Sequence, residues 1–395
     1  MSSIYLGIDI GTQSAKALCY DADEGRVAAI TSSPLELISR NDGTREQVAQ
    51  WWIVALRDCL SQIDGDIRRR VASISVSGQQ HGFVALGVNR DVLAPVKLWC
   101  DTATVAECEQ ITNNFGGTEL CVSEVGNPIL PGYTAPKIRW LKNHQPEAYA
   151  QLDTILLPHD YMNFYLTGER AMEYGDASGT GLLDVRHRCW HAGMIAAVDE
   201  SRDLSSCLPP LFDSSSVVGR LRTDVAAELG LPTGVPVASG GGDNMMAAIG
   251  TGAVSPGNVS VSLGTSGTLF GFSDKPVVDP KGDLAAFCSS TDGWLPLVCT
   301  MNCTVSTELT RGMLGLNIEE MEQLIVGRNP GADGVVTLPF YNGERMPNLP
   351  LAKACIFGLD ANNYSAGNLL RSAMESSVFG LRMGLDVLRR NGVNI

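Results

Sequence analysis

Ile4-Tyr5-Leu6-Gly7-Ile8-Asp9-Ile10-Gly11-Thr12-Gln13-Ser14-Ala15-Lys16-Ala17-Leu18-Cys19-Tyr20 reads as a strand, a tight tip and a return strand. Apolar residues alternate up to Ile10, the turn formers Gly11-Thr12-Gln13-Ser14 interrupt, and the apolar pattern resumes. Asn258-Val259-Ser260-Val261-Ser262-Leu263-Gly264-Thr265-Ser266-Gly267-Thr268-Leu269-Phe270 repeats that layout, with Gly264-Thr265 standing where Gly11-Thr12 stood. Two copies of one supersecondary unit so far apart predict two lobes of related topology facing each other across a cleft. The boundary is expected near Gly250 to Pro256, giving an N-terminal part over 1–250 and a C-terminal part over 251–395.

Helical and extended patterns interleave between these hairpins. Trp51-Trp52 through Leu60 carries apolar residues at helical spacing, and Val71-Ala72-Ser73-Ile74-Ser75-Val76-Ser77 alternates into Gly78. Val235 to Ser239 reads as a strand that enters Gly240-Gly241-Gly242-Asp243-Asn244, and Met245 to Ile249 as a short helix. The class is α/β. A chain of 395 residues with 44% hydrophobic content exceeds one ordinary core. A net charge of −14 and a pI near 4.8 exclude a phosphate-backbone partner such as nucleic acid. An anionic nucleotide would need local backbone N–H groups, a divalent metal and a few placed cations. Eleven cysteines are scattered without a CxxC pair, and Cys299 with Cys303 lacks partners at zinc spacing, so buried free thiols are expected. No apolar run is long enough to span a membrane and the N-terminus lacks a leader pattern, which points to the cytoplasm.

A Gly-Thr tip lets backbone approach a phosphate closely, since glycine has no Cβ and the hydroxyl and amides can donate. Either tip alone is equally a good hairpin connection; their duplication favours a shared polyphosphate. Asp9, inside the first strand, is expected to be a buried charge that needs a cation, as Mg²⁺ bridging phosphates through water would supply. Asp243 has two readings: an N-cap for the adjoining helix, and an acceptor for the hydroxyl proton during phosphoryl transfer to an alcohol.

Asp9-Ile10-Gly11-Thr12, Gly78-Gln79-Gln80-His81-Gly82, Leu98-Trp99-Cys100-Asp101, Gly241-Gly242-Asp243-Asn244, Ser262-Leu263-Gly264-Thr265-Ser266-Gly267 and Asn342-Gly343-Glu344-Arg345-Met346-Pro347 succeed one another along the chain. In that order and spacing they resemble the FGGY carbohydrate kinases, over essentially the whole sequence. The resemblance implies an actin-like, ribonuclease-H-like fold with duplicated mixed-sheet domains that closes on sugar and ATP. By the same resemblance Asp243 is the general base and Asp9 helps hold Mg²⁺. Thr12, Gln13, Ser14, Gly264 and Thr265 line the phosphates, with the charge of Lys16 nearby. Family members are often homodimers.

Gly-Gln-Gln-His-Gly is similar to the xylulokinase branch, whereas glycerol kinases carry an Arg-Glu pair there. It makes Gln80 and His81 the implied sugar contacts, with Trp99, Asp101, Asp243 and Asn244 around the same pocket and D-xylulose as the implied acceptor. Pro131-Gly132-Tyr133-Thr134-Ala135-Pro136-Lys137 and Leu157-Pro158-His159-Asp160-Tyr161 also resemble bacterial xylulokinases, though no mechanism attaches to either. Two departures stand out. Trp99-Cys100-Asp101-Thr102-Ala103 lacks the Asn and the basic residue many relatives carry. The sequence also ends at Ile395, before the family's Gly-Gly-Gly-Ala-x-Ser adenosine loop, so an incomplete second lobe and an inactive form are expected alternatives. A kinase for ribulose, glycerol or gluconate, or a non-catalytic actin-like nucleotide-binding protein, are the rival functions.

Overall fold

The computed structural model describes residues 3–349 and 351–395; Met1 and Ser2, the first residues of the stretch read for a leader, lie outside the described residues. The chain divides into two compact units. The first holds Met1–Gly250 and Phe287–Trp294, and the second Thr251–Ala286 and Leu295–Ile395. The return of Phe287–Trp294 to the first unit is a feature that one expected boundary did not contain.

In the first unit β1 (Ile4–Ile10) pairs antiparallel with β2 (Ser14–Asp21), which pairs antiparallel with β3 (Arg26–Pro34). The alternation in β1 is the pleat: Ile4, Leu6, Ile8 and Ile10 are buried on one face and Tyr5 is exposed on the other. The buried face joins Trp52, Leu56 and Leu60 of α1 (Ala49–Ser61) in one core. β4 (Val71–Gly78) runs parallel to β1 on its other side. Beyond β4 the sheet is completed by β5 (Val217–Arg220) and β6 (Pro236–Ala238) in the order β5-β6-β4-β1-β2-β3, with the two-residue β7 (Gly241–Gly242) also parallel to β4. α2 (Asp243–Gly250) continues directly from β7.

The second unit holds the other hairpin. β8 (Val259–Leu263) and β9 (Gly267–Gly271) pair antiparallel, and β10 (Leu297–Thr300) adds antiparallel to β9. The long helix α3 (Ala366–Arg390), capped by the Ser365 side chain, lies along this sheet. Gly384 of α3 is a close-approach glycine, since a Cβ there would fall 2.9 Å from a methyl of Val298.

All eleven cysteines are unpaired. Seven are buried, but Cys189 and Cys355 are exposed and Cys100 and Cys299 are intermediate, a departure from the all-buried expectation. Among the described residues no helix is long and apolar enough to cross a membrane.

Candidate active site in the first unit

Register brings the chemistry together. Ile10 lies opposite Gly78, and Gly78 opposite Gly242, so β1, β4 and β7 end at one level. At that level the three strands run on into Gly11-Thr12, Gln79-Gln80-His81 and Asp243-Asn244. The C-terminal ends of parallel strands are where open α/β sheets place their ligands.

Asp243 is the first residue of α2, and its Oδ1 accepts the Asn244 amide at 2.7 Å. The N-cap reading is not met: Asp243 lies inside the helix as its first residue, and its contact is to the adjoining amide rather than to one two or three residues on. Burial first, then the charge of Asp176 and a smaller push from Asp9, raise its pKa to about 7 against the Asn244 hydrogen bond. A carboxylate poised there can accept a proton near neutral pH. Beside it, Asn244 Nδ2 donates to Gln80 Oε1 at 2.7 Å, and Gln80 Nε2 lies 3.1 Å from the Met245 sulfur. Gly242 keeps this contact open, since a Cβ on it would fall 2.8 Å from Gln80 Cγ.

His81 sits at φ 62°, a left-handed conformation that costs a non-glycine residue about 1–2 kcal/mol. Both sides of its backbone are engaged. Its N–H points at Asp176 Oδ1 at 3.4 Å, and its carbonyl accepts from Lys137 Nζ at 2.6 Å and Thr134 Oγ1 at 3.2 Å. The imidazole packs edge-on to Tyr133 at 5.3 Å and tilted against Phe287 at 5.6 Å. Gly179 closes another side: a Cβ there would lie 1.7 Å from His81 Cε1.

Asp176 is delivered by the short helix Tyr174–Ala177, whose first turn is capped by Glu173 through the Gly175 and Asp176 amides. Glu173 also accepts from Ser290 Oγ at 2.9 Å, which anchors the returning segment that carries Phe287. His159 meets Asp176 Oδ2 on one ring nitrogen and Asp160 Oδ1 on the other, each at 2.9 Å. Burial opposes charge on His159, but Asp160 and then Asp176 outweigh it and hold its pKa well above the ordinary histidine value.

The tip of the first hairpin is braced by amides. Gln47 Nε2 donates to the Thr12 carbonyl at 2.8 Å, Gln79 Nε2 donates to Gln47 Oε1 at 2.8 Å, and Thr12 Oγ1 donates to Gln79 Oε1 at 2.9 Å. Trp99, 41% exposed, donates its indole N–H to Thr12 Oγ1 at 3.0 Å. Gln13 is exposed and Ser14 intermediate. Asp9 is not the buried charge expected. Its side chain is 38% exposed, it accepts from Ser77 Oγ at 3.0 Å, and Lys16 Nζ lies 3.8 Å away. Asp101 also departs from expectation: fully buried, its carboxylate takes the Arg45 and Ala103 amides and the Lys97 ammonium. With those acceptors occupied it holds the loop together rather than facing a ligand.

In the second unit Gly264 and Thr265 form an exposed tip. It rests on the start of the helix Thr304–Met313, whose Cys303 and Thr304 amides donate to the Thr265 and Gly264 carbonyls at 2.9 Å each. Among the described residues no group of three or more His, Cys, Asp or Glu is placed to hold a metal ion. The reading by motif missed Gln47, Glu173, Asp176 and Phe287. The acidic pair in Glu173-Tyr174-Gly175-Asp176 was the one local signal among them.

Residues 4–250 match the family model described as the FGGY family of carbohydrate kinases, N-terminal domain, and residues 259–395 match its C-terminal domain. The chain is 41% identical over 397 residues to the xylulose kinase of Haemophilus influenzae, covering 99% of this chain and 80% of that protein. It is 37% identical over 388 residues to the xylulose kinase of Streptomyces coelicolor, covering 98% and 76%. The solved xyloylose kinase of Brucella ovis superposes with a TM-score of 0.92 at 30% identity, covering 99% of this chain and 80% of that one.

Proposed function

Because the chain belongs to the FGGY family of carbohydrate kinases, with its two-domain sugar-kinase fold and its use of ATP, we propose that its acceptor is D-xylulose and Asp243 its general base. The observation that carries this is the position of the Asp243 carboxyl, raised by burial, at the shared strand ends beside the Asn244–Gln80 pair, with His81 following the end of the neighbouring strand. The similarity to xylulose kinases over nearly the whole chain supports the choice of sugar.

In this reading Gln80, His81 and Asn244 bind the sugar hydroxyls and turn the terminal one toward Asp243. Asp243 takes that proton as the oxygen attacks the γ-phosphorus in line. The separation of tasks matches the electrostatics: a base with pKa near 7 is unprotonated often enough to act, yet basic enough to hold the proton. Trp99 covers the same pocket. Thr12, Gln13 and Ser14 are phosphate-contacting residues of the first hairpin, with Lys16 adding charge, and Gly264 and Thr265 are those of the second hairpin. Asp101 contributes by holding Arg45 and Lys97 in place.

Mg²⁺ fits the donor set at Asp9. A half-exposed carboxylate beside a serine hydroxyl is the hard-oxygen chemistry this ion takes, and it commonly uses one or two carboxylates while its other positions go to water and phosphate. When bound it supplies charge neutralisation on the transferring phosphoryl group. Asp9 would hold it, and Lys16 limits the net negative charge there. The cytoplasm, where ATP is available, is the setting this implies.

ADP release with Mg-ATP and D-xylulose, run beside D-ribulose, glycerol, gluconate and a sugar-free blank, tests the proposal. Turnover dominated by D-xylulose is the expected result. Turnover with another acceptor would discard the sugar while keeping the chemistry, and an Asp243→Ala protein with near-native turnover would remove the base.

A further inference from the structure

Two stretches singled out in the sequence, Pro131 to Lys137 and Leu157 to Tyr161, are not used by the reaction as described, and both converge on His81. Lys137 is wholly buried in the helix Thr134–His144, and its Nζ donates to the His81 carbonyl at 2.6 Å and the Gly132 carbonyl at 2.8 Å. An ammonium in that position is among the most expensive groups to bury. Burial accordingly draws its pKa down to about 7. A leucine or methionine would fill the same space without that penalty. What the amine provides is a second grip on a carbonyl that Thr134 Oγ1 already holds at 3.2 Å. On the other side of the same residue, Asp176 faces the His81 amide at 3.4 Å and is itself held by His159 at 2.9 Å. A left-handed backbone on a non-glycine residue persists when its surroundings over-determine it, and such strain clusters where a ligand is gripped.

We propose that Thr134 and Lys137 are positioning residues for the acceptor sugar: by holding the His81 carbonyl they fix its left-handed backbone, and so aim its imidazole, without touching the sugar themselves. The inference rests on His81 being a sugar contact. It makes the helix Thr134–His144 a determinant of sugar affinity and leaves the nucleotide side untouched.

The test is a double-mutant cycle read by D-xylulose binding, monitored through tryptophan fluorescence, with KM for ATP and Tm measured alongside. Losing one hydrogen bond of this kind should weaken D-xylulose by about threefold to tenfold in Thr134→Val and about tenfold or more in Lys137→Met. KM for ATP should stay within about twofold of wild type in both. In a His81→Ala background the Thr134→Val effect should fall below about twofold, since it acts through His81. Unchanged sugar affinity in Thr134→Val, or an effect that persists undiminished without the His81 side chain, overturns the inference. Thr134→Val preserves shape, so it decides the matter even where Lys137→Met fails to fold. The single variant His81→Ala separates the two levels: if it binds D-xylulose as tightly as wild type, the placement of His81 at the sugar falls and this inference with it. If it weakens binding while Thr134→Val and Lys137→Met do not, the positioning role alone fails.

Discussion

Gly179→Ala puts a methyl into the wall behind His81. The new Cβ would stand 1.7 Å from Cε1, 2.0 Å from Nδ1 and 2.8 Å from Nε2 of the imidazole. Carbon atoms in contact settle at about 3.5–4.0 Å, so the ring must retreat by about 2 Å. Its routes are closed on two sides by Tyr133 and Phe287, and its carbonyl is tied to Lys137. The imidazole therefore leaves its position by changing rotamer, and the sugar loses one polar contact. A lost contact of about 1–3 kcal/mol corresponds to a rise of about fivefold to 150-fold in KM for D-xylulose. Overpacking of about 1–3 kcal/mol should lower Tm by a few degrees for each kcal/mol. An ADP-coupled assay with sugar and ATP varied separately, together with a thermal melt, reads all of this. KM for ATP should hold steady. Adding His81→Ala should return Tm toward wild type while sugar KM stays high, because the clash goes with the ring. A Gly179→Ala enzyme with wild-type KM for D-xylulose would refute both the packing argument and the role of His81.

Asp243→Asn should lower kcat by about 10²- to 10⁴-fold, as loss of a general base does, with a melt and a coupled assay as the check. Its folded pKa of about 7 is raised, so the activity of the native enzyme should fall about tenfold per pH unit below that value. The same shift means that folding disfavours the carboxylate: stability associated with this group is full below the ordinary carboxyl range and is lost as pH rises through about 7, so Asp243→Asn should melt higher than wild type at pH 8. Asp199 behaves oppositely. Burial is outweighed by hydrogen bonds from Lys142, Tyr149 and Ser201, which hold its carboxyl well below the usual range. Its contribution is present above the ordinary carboxyl pKa and lost only in strong acid, and Asp199→Asn should lower Tm at pH 7 while narrowing that gap near pH 2. Trp99→Phe should abolish most of the sugar-dependent fluorescence change, yet shift Tm by under about 2 °C, given how exposed the indole is.

Both hairpins were legible because an alternating strand that turns on glycine and threonine needs no distant partner to declare itself. Asp243 was legible for a similar reason: glycines on one side and an apolar helix on the other bracket it in sequence. The rest of the site is written in tertiary hydrogen bonds. Gln47 supports Thr12 and Gln79 from a different part of the chain, and Asp176 meets His81 across a separation of 95 residues. Neither has any local periodicity. Asp9 and Asp101 came out differently for separate reasons: alternation tells which face of a strand Asp9 occupies but not whether that face is covered, and the motif that carries Asp101 does not tell which backbone amides will reach its carboxylate. Asp9 proved half open, and Asp101 proved sealed among the Arg45 and Ala103 amides and Lys97. Lys137 shows a further limit: its motif was recognised while its use, a buried amine on two carbonyls, depended on where residue 81 would come to rest.

The return of Phe287–Trp294 to the first unit carries a consequence for how the protein is made. Chains emerge from the ribosome N-terminal end first, at about 5–20 residues per second. When Gly250 has emerged, the nascent first unit possesses its sheet, Asp243 and His81, but not the phenylalanine beside that histidine nor the serine that anchors Glu173. Synthesis must pass through Thr251–Ala286, which belongs to the other unit, before the missing pieces arrive. A stalled chain ending at residue 250 would thus present an unfinished flank to chaperones and proteases, and the two halves of the gene cannot be separated at that point without leaving the first half short of its own parts.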